Sequence, residues 1–398
     1  MGVDAALARF EPRSGASWRD PFTMYAALRD HDPVHHVHDG DYWVLSRHAD
    51  VIEAARDTQR FSSARGLTFT YDDVSAAGLD EISPMVFLDP PDHSEFRQLV
   101  ARGFTPRAVT TVEPQVRQFV RERLDDIVRA GGGDIVTTMF KPLPTLVVGH
   151  YLGVPASDRA RFDGWVHRIV GATSSGGAHA VLDTVGEVFE YFGDLIDRRR
   201  ADPQDDVISE LVAAGDGVGV APMRILGFAF TMITGGNDTT TGLLSVGSEL
   251  LAAHSDQQRR LADRPDLIGD AVTEMLRLAS PVQGLARTTT VDVAVGDTVI
   301  PADKKVMLLY GSANRDERQF GATAGDLDVT RAPGPILTFG HGAHYCLGAA
   351  AARLMGRVTF EELLARCPRF TVDAANGRFA DGHFVRWYDS LPFEPGDG

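Results

Sequence analysis

The chain has 398 residues, 43% of them hydrophobic and 24% charged, which is typical of a globular protein with a sizeable buried core. Acidic residues outnumber basic ones 55 to 39, and the resulting net charge of −16 argues against a nucleic-acid partner. The two cysteines, Cys346 and Cys367, imply no disulfide framework and fit a reducing cytoplasm. Residues 1–20 carry several charges and no long apolar run, so we expect neither a signal peptide nor a membrane anchor.

Hydrophobic periodicity predicts a series of helices along the chain. Two β-hairpins are expected as well, with turns at Asp39-Gly40 and Gly296-Asp297, and strands are expected after Phe370. The predicted helices are Pro21–Arg29, Val112–Arg129, Thr145–Tyr151, Ser157–Val170, Val181–Arg200, Met223–Ala252, Leu267–Ala279 and one from Ala349 to Cys367-Pro368.

Two connecting segments differ from ordinary short loops. The segment from Arg65 to Leu88 has poor periodicity, and a loop of this length inside a compact chain is usually functional. Small polar residues from Thr173 to Gly177 predict a mobile connection between two helices. Both segments are therefore expected to border a binding site.

A short polar helix is predicted after Asp89-Pro90-Pro91. Asp92 is the expected N-cap, with Glu95 three positions later in a capping-box arrangement. His93 and Arg97 fall four residues apart on one face of this helix. A solvated helix face would show the same spacing, so this pair alone decides nothing.

The longest predicted helix, Met223–Ala252, is apolar nearly all round, which is typical of a buried helix. At 1.5 Å per residue it would be about 45 Å long. Its middle reads Gly235-Gly236-Asn237-Asp238-Thr239, and these poor helix formers cost about 2 kcal/mol relative to alanine. A destabilising stretch at the centre of a buried helix indicates a functional site.

The helix Leu267–Ala279 carries Glu274 and Arg277 on one face. If the pair were exposed, it would contribute less than about 1 kcal/mol. Ser280-Pro281 ends this helix.

Cys346 stands among glycines, directly before the helical pattern that begins at Ala349. At a helix N-terminus the free amides and the dipole favour a thiolate. Gly342 and Gly348 have no side chain and would let the backbone approach a bulky planar partner. A thiolate presented in this way suits an axial ligand of haem iron. For an isolated cysteine the alternative interpretation is a small buried hydrophobic residue.

The loop matches, position by position, the haem-binding loop of the cytochrome P450 family, at Phe339, Gly342, His344, Cys346 and Gly348. The chain resembles this family from about Pro21 to Phe393. The resemblance implies a mainly α-helical fold with small β-sheets, forming one catalytic domain over residues 1–398. It also implies that haem b is bound between the long central helix and the cysteine loop, with Cys346 on the iron.

The resemblance assigns roles to further residues. Asp238 and Thr239 would lie beside bound dioxygen and relay protons to it. Glu274 and Arg277 would be buried, paired with Arg331, and would support the cysteine loop. Expected contacts of haem, several of them to its propionates, are His93, Arg97, Gly235, Arg287, Phe339, His344 and Gly348. Expected substrate-pocket residues are Phe87, Thr231, Thr234, Val282 and Leu285.

In function, the chain is similar to soluble actinobacterial members of the family, several of which oxidise steroids or lipids. The resemblance implies a cytoplasmic monooxygenase that inserts one atom of O2 into a hydrophobic small molecule such as a steroid, a lipid or a polyketide-like compound. Electrons would come from NAD(P)H through a separate ferredoxin and ferredoxin reductase. Arg102, Arg353 and Arg357 form a candidate basic patch for that ferredoxin.

Two other classes of protein stay open. A non-catalytic haem sensor or carrier would share the cysteine loop, although the Asp238-Thr239 pair argues against it. A zinc hydrolase could use His341, His344 and Cys346, since these residue types are ordinary zinc ligands. That interpretation leaves the other motifs unexplained.

Overall fold

The computed structural model describes residues 10–11, 18–71, 84–175, 179–218, 220–380 and 385–396. Half of the predicted loop between Arg65 and Leu88, and part of the predicted connection at residues 173–177, lie outside these ranges. The expectations about those two segments therefore stay predictions.

Helices make up most of the described chain. They are α1 (Phe22–His31), α2 (His48–Arg56), α3 (Asp92–Val100), α4 (Pro106–Val109), α5 (Glu113–Arg129), α6 (Pro142–Tyr151), α7 (Arg159–Ser175), α8 (His179–Ala201), α9 (Val207–Val218), α10 (Pro222–Ala253), α11 (Ser255–Asp263), α12 (Ile268–Ala279), α13 (Tyr310–Ala313), α14 (Glu317–Phe320) and α15 (Ala349–Arg366). Shorter 3-10 turns include Met85–Phe87 and Gly342–His344, and Val136–Phe140 is a π-helical turn.

The strands are short. They are β1 (Val34–Val37), β2 (Tyr42–Leu45), β3 (Phe61–Ser62), β4 (Gly133–Asp134), β5 (Leu285–Thr289), β6 (Val293–Val295), β7 (Thr298–Ile300), β8 (Lys305–Leu308), β9 (Thr371–Val372), β10 (Arg378–Phe379), β11 (Tyr388–Ser390) and β12 (Pro392–Glu394). The largest sheet has the order β1-β2-β8-β5-β3, in which β2 and β8 are parallel and the other pairs antiparallel. Both predicted hairpins are present, as β1–β2 and β6–β7.

Helix α10 lies at the centre of the helical part, packed against α6, α8, α12 and α15. It begins at Pro222, whose fixed φ suits a first helical position. A Cβ on Gly236 would meet Val148 Cγ2 at 2.8 Å, so a glycine is required where α10 crosses α6. The prediction of a long buried helix over Met223–Ala252 is confirmed, with one extra residue at each end.

The start of α3 differs from the sequence prediction. Pro91 precedes the helix in a helical conformation, and no side chain accepts a hydrogen bond from the first turn. The predicted N-cap at Asp92 is therefore wrong. Asp92 is already inside the helix, and the carbonyl of Asp89 accepts the amide of His93 at 3.0 Å. Among the described residues, no helix has the length and hydropathy needed to cross a bilayer.

Candidate functional site

The cysteine loop is a tight turn against α2. Cys346 donates its backbone amide to Phe339 O at 2.9 Å, which closes the loop. Gly342 has φ +72°, and a Cβ there would lie 2.8 Å from Ala55 O, so conformation and space both require glycine. The loop ends at Gly348, the N-cap of α15. Cys346 thus stands two positions before this N-cap and three before the first helical residue, Ala349, as the sequence indicated.

The Cys346 thiol is accessible and yet largely surrounded by protein, as expected for a group that lines an internal space. Burial raises the pKa of this thiol, while the amide of Gly348 and the charges of Arg97 and Arg353 act in the opposite direction. The loss of solvation on burial thus opposes the effect that the helix terminus has on the thiol. A bound metal ion would supply the missing stabilisation of the thiolate.

An aromatic and cationic group covers the outer side of the loop. The Arg353 guanidinium lies 4.5 Å from the ring centroid of Phe339 and donates to Tyr345 Oη at 3.2 Å. The rings of Phe339 and Tyr345 meet edge to face at 6.1 Å. Phe339 is buried, whereas Tyr345 is 36% exposed. These contacts fix both ends of the segment that presents Cys346.

Four basic side chains converge beside Cys346, from three separate parts of the chain. The imidazole rings of His93, on α3, and His344, in the loop, lie 4.1 Å apart. The charges of Arg97, on α3, and of Arg287, on β5, act on both imidazoles, and the charge of Arg97 also acts on Cys346. The predicted haem contacts His93, Arg97, Arg287 and His344 are therefore brought together.

These four side chains form the cation cluster, in which Arg97 and Arg287 carry the positive charge and the carboxylate of Asp89 acts against them on His93. Burial lowers the pKa of His344 to about 3, with further contributions from Arg287, His93 and Arg97. Burial also lowers the pKa of His93, which is 1% exposed, and its Nδ1 has no hydrogen-bond partner. An unpaired buried nitrogen is costly unless a partner binds there.

A second layer of polar contacts supports the cluster. Ser63 Oγ lies 3.2 Å from His344 Nε2, and Asp89 Oδ1 accepts the amide of Ser63 at 2.9 Å. The Ser62 hydroxyl also donates to Asp89. Sequence reasoning missed these residues, although an acid four positions before His93 was a signal to test. Ser63 fixes the orientation of the His344 ring.

The middle of α10 is fixed by side-chain hydrogen bonds. Asn237 is buried, donates Nδ2 to Ile233 O at 2.6 Å and accepts from Thr145 Oγ1 at 2.8 Å. The Thr239 hydroxyl donates to Gly235 O at 2.9 Å. Beyond Gly235, nothing lies within 4 Å of the position of a Cβ, so the helix borders open space there.

Asp238 lies in this segment, and the pKa of its carboxyl is unusually high. Burial raises the pKa of its carboxyl from 3.8 to about 7; the charge of Lys141 lowers it and that of Asp389 raises it. The pKa of this carboxyl therefore lies close to neutral pH, far above that of an ordinary aspartate. An acid poised in this way can give and regain a proton during turnover.

The predicted pocket residues divide into two groups. Thr231 and Thr234 are half-buried on α10, and the 3-10 turn that contains Phe87 packs against this helix. Val282 and Leu285 follow α12 and pack against the hydrophobic cluster of the main sheet. The Thr231 hydroxyl donates to Gly227 O at 2.7 Å and the Thr234 hydroxyl to Phe230 O at 3.0 Å. The hydroxyl protons of Thr231 and Thr234 are therefore already donated to carbonyl groups of α10.

A buried ion pair with a third, partly buried partner lies between α12 and the irregular segment before the cysteine loop. Glu274 and Arg277 are both 0% exposed and make two parallel bonds of 2.7 Å. Arg331 Nε joins Glu274 Oε1 at 3.0 Å, and Arg277 also donates to Asn314 O and Ala324 O. This group ties α12 to the irregular segment that leads into the loop.

The family model for cytochrome P450 matches residues 29–377. The chain belongs to the cytochrome P450 family. It is 58% identical to cytochrome P450 130 of Mycobacterium tuberculosis, over 96% of this chain and 97% of that protein. It is 36% identical to the vitamin D(3) 25-hydroxylase of Pseudonocardia autotrophica, over 90% of this chain and 89% of the relative. Among solved structures, the Bacillus subtilis 168 bacillaene polyketide synthase P450, PksS, has a TM-score of 0.88 at 30% identity, over 98% and 100% of the two chains.

This P450 is accordingly a monooxygenase of a haem-binding family, and the residues present fit haem. The thiol of Cys346 provides a ligand for iron. The cation cluster and the unpaired Nδ1 of His93 match the two carboxylates of haem in charge and in hydrogen bonding. The zinc alternative fits less well. Among the described residues, no three His, Cys, Asp or Glu side chains are placed to hold a metal ion.

Proposed function

We propose that this P450 inserts one atom of dioxygen into a hydrophobic small molecule of the steroid, lipid or polyketide class. The protein acts in the cytoplasm as one catalytic domain over residues 1–398. Electrons come from NAD(P)H through a separate ferredoxin and ferredoxin reductase. The observation that carries the proposal is the combination of the cation cluster beside Cys346 with the poised acid and alcohol, Asp238 and Thr239, on α10.

Haem b, when bound, supplies the iron at which dioxygen is activated. Cys346 Sγ would be the protein ligand of that iron. His93 Nδ1 and the guanidinium groups of Arg97 and Arg287 would bind the carboxylates of haem, with His344 held against His93 by Ser63. Phe339 and Gly348 shape the loop around the sulfur. Gly235 leaves open space beside α10.

Asp238 and Thr239 divide the proton chemistry between them. Asp238 holds a proton on its carboxyl until about pH 7, so it can release one under physiological conditions. The single proton of the Thr239 hydroxyl is donated to Gly235 O, which leaves the Oγ1 lone pairs free to accept a hydrogen bond. Thr239 therefore orients a protonated group, and Asp238 provides the proton.

The pocket chemistry favours an apolar substrate. Thr231 and Thr234 have committed their hydroxyl protons to helix carbonyls, so they present methyl groups and lone pairs. Phe87, Val282 and Leu285 add hydrophobic surface. The names of two relatives, a vitamin D(3) hydroxylase and a polyketide-synthase P450, support a bulky hydrophobic substrate class.

Labelled oxygen gives the most direct test of this proposal. Steroids and macrolactones are first screened for the spectral change that accompanies loss of the distal water. Those that cause it are incubated under ¹⁸O2 with the purified enzyme, a bacterial ferredoxin, its reductase and NADPH. One ¹⁸O atom in the product, at a rate that requires the ferredoxin, is the expected result. A product without label, or a haem protein that consumes no NADPH with any binding compound, would contradict the proposal and favour a sensor.

A further inference from the structure

The junction before α6 is tied to α10 on both sides of Asp238. Thr145 Oγ1 donates to Asn237 Oδ1 at 2.8 Å, and Thr241 Oγ1 donates to Phe140 O at 3.3 Å. Between these two ties stands Lys141, whose amide closes the π-helical turn Val136–Phe140 on Val136 O at 2.9 Å. Such turns are frequent at functional sites. The backbone of Lys141 is thus fixed next to the part of α10 that carries Asp238.

Strand β11 carries Asp389, whose negative charge lies next to the Lys141 ammonium. The Lys141 ammonium forms an ion pair with Asp389, and Asp389 is paired in turn with Arg378 on β10. Tyr388 donates its amide to Ser245 Oγ at 3.2 Å, which anchors β11 on α10. Side-chain exposure is 25% for Lys141, 28% for Asp389 and 71% for Arg378, so the chain of charges leads outward to solvent.

Among the described residues, the charges that act on Asp238 are Lys141, from the start of α6, and Asp389, from β11. Their effects are opposite in sign. The ammonium favours the ionised Asp238 carboxylate, and the Asp389 carboxylate opposes it. As long as Asp389 holds Lys141, the two effects partly cancel and burial leaves Asp238 protonated up to neutral pH.

We propose that the Lys141–Asp389 ion pair controls the charge of Asp238, with Asp389 holding the Lys141 ammonium away from the acid. When the ammonium turns from Asp389 to Asp238, the carboxylic acid of Asp238 passes its proton to the group that Thr239 orients. When the ammonium returns to Asp389, the Asp238 carboxylate takes one proton from solvent. Lys141 and Asp389 are positioning residues in this scheme, since they act through Asp238. The inference rests on the proposed role of Asp238 as the proton-delivering acid.

The test measures the pKa of Asp238 itself. The enzyme is labelled with ¹³C at the aspartate carboxyl carbons and titrated by NMR as the diamagnetic ferrous carbon monoxide complex. The Asp238 signal is the one that disappears in Asp238→Asn. Lys141→Met should raise this pKa and Asp389→Asn should lower it, each by about one pH unit or more, which is usual for one neighbouring charge. Lys141→Arg, which keeps the cation, should stay near the parent value.

A second Lys–Asp pair provides the matched control. Lys304 and Asp41 form an exposed ion pair at the hairpin β1–β2, and Lys304→Met and Asp41→Asn should leave the Asp238 titration unchanged. The pH above which coupled product formation falls should move with the pKa, upward in Lys141→Met and downward in Asp389→Asn. A merely structural ion pair would move both variants in the same direction.

Two outcomes overturn the inference, and they differ from each other. Shifts of equal sign, or none, in Lys141→Met and Asp389→Asn refute charge control, while the role of Asp238 would still stand on Asp238→Asn kinetics. Full coupled turnover in Asp238→Asn refutes the proton-delivery role, and with it any functional use of the pair, even if the two opposite shifts are observed.

Discussion

Arg331 Nε lies 3.0 Å from Glu274 Oε1, 57 positions away in sequence, and completes a buried group in which Glu274 also forms two bonds with Arg277. The acid thus pairs with two arginines at once. Because Arg277 is 0% exposed, it depends on Glu274 for its charge balance.

Glu274→Ala should therefore destabilise the protein by about 3–5 kcal/mol, the usual effect of leaving a buried charge unpaired. Thermal unfolding and haem content after purification measure the effect. Removal of an exposed partner is the control, because Arg264→Ala breaks only a surface pair with Asp266. Equal behaviour of the two variants would show that the buried group does not support the loop.

The raised pKa of Asp238 predicts a pH-dependent stability difference. Its carboxyl has a pKa of 3.8 when unfolded and about 7 when folded, so the unfolded chain releases the proton first and stability falls as pH rises between these values. Asp238→Asn removes this penalty, which is at most about 4 kcal/mol. The variant should melt at a higher temperature than the parent above pH 7, and at the same temperature near pH 4. A constant difference across pH would contradict the assignment.

Thr239→Ala should separate catalysis from cofactor binding. Haem content should be unchanged, because Thr239 lies on α10, whereas the cation cluster lies on α3, on β5 and in the cysteine loop. NADPH should still be consumed, but most of the oxygen should appear as hydrogen peroxide, since the acceptor at Oγ1 is lost. Peroxide and product are quantified with a tight-binding substrate. Full coupling would move the role to Thr240, the neighbouring alcohol.

Electron delivery tests the surface around the cysteine loop. Of the three arginines in the predicted basic patch, Arg357 is paired with Glu113 and Glu361, so its charge is already balanced within the protein. Arg102 remains exposed. Arg102→Glu should raise the apparent KM for ferredoxin and flatten its salt dependence, since steering by opposite charge is screened by salt. Arg264→Glu is the control. Unchanged kinetics for Arg102→Glu would place the docking surface elsewhere.

The sequence predicts this fold well where a pattern is long and local. The period of Met223–Ala252 and the turn at Asp39-Gly40 each identify an element, and both are present. The parallel pairing of β2 with β8 joins strands about 260 residues apart, which no local pattern encodes. Register between such strands depends on the completed core.

The same limit applies to the site. The residue types around Cys346 suffice to predict a metal-binding loop, and His93 and Arg97 show a common helix face. The partners of Asp238 are different, since Lys141 and Asp389 meet only after folding, 248 positions apart. The protonation of Cys346 also needed the structure, because burial opposes the effect that the helix terminus predicts.

The central claim is that Cys346, as a thiolate, binds haem iron. The most direct measurement is the absorption spectrum of the reduced carbon monoxide complex of the parent, of Cys346→Ala and of Cys367→Ala. The parent should show the strongly red-shifted Soret band of thiolate ligation. Cys346→Ala should lose that band, and Cys367→Ala should keep it, since Cys367 is buried at the far end of α15. A colourless parent with stoichiometric zinc, or a Cys346→Ala variant that retains the band, would contradict the account.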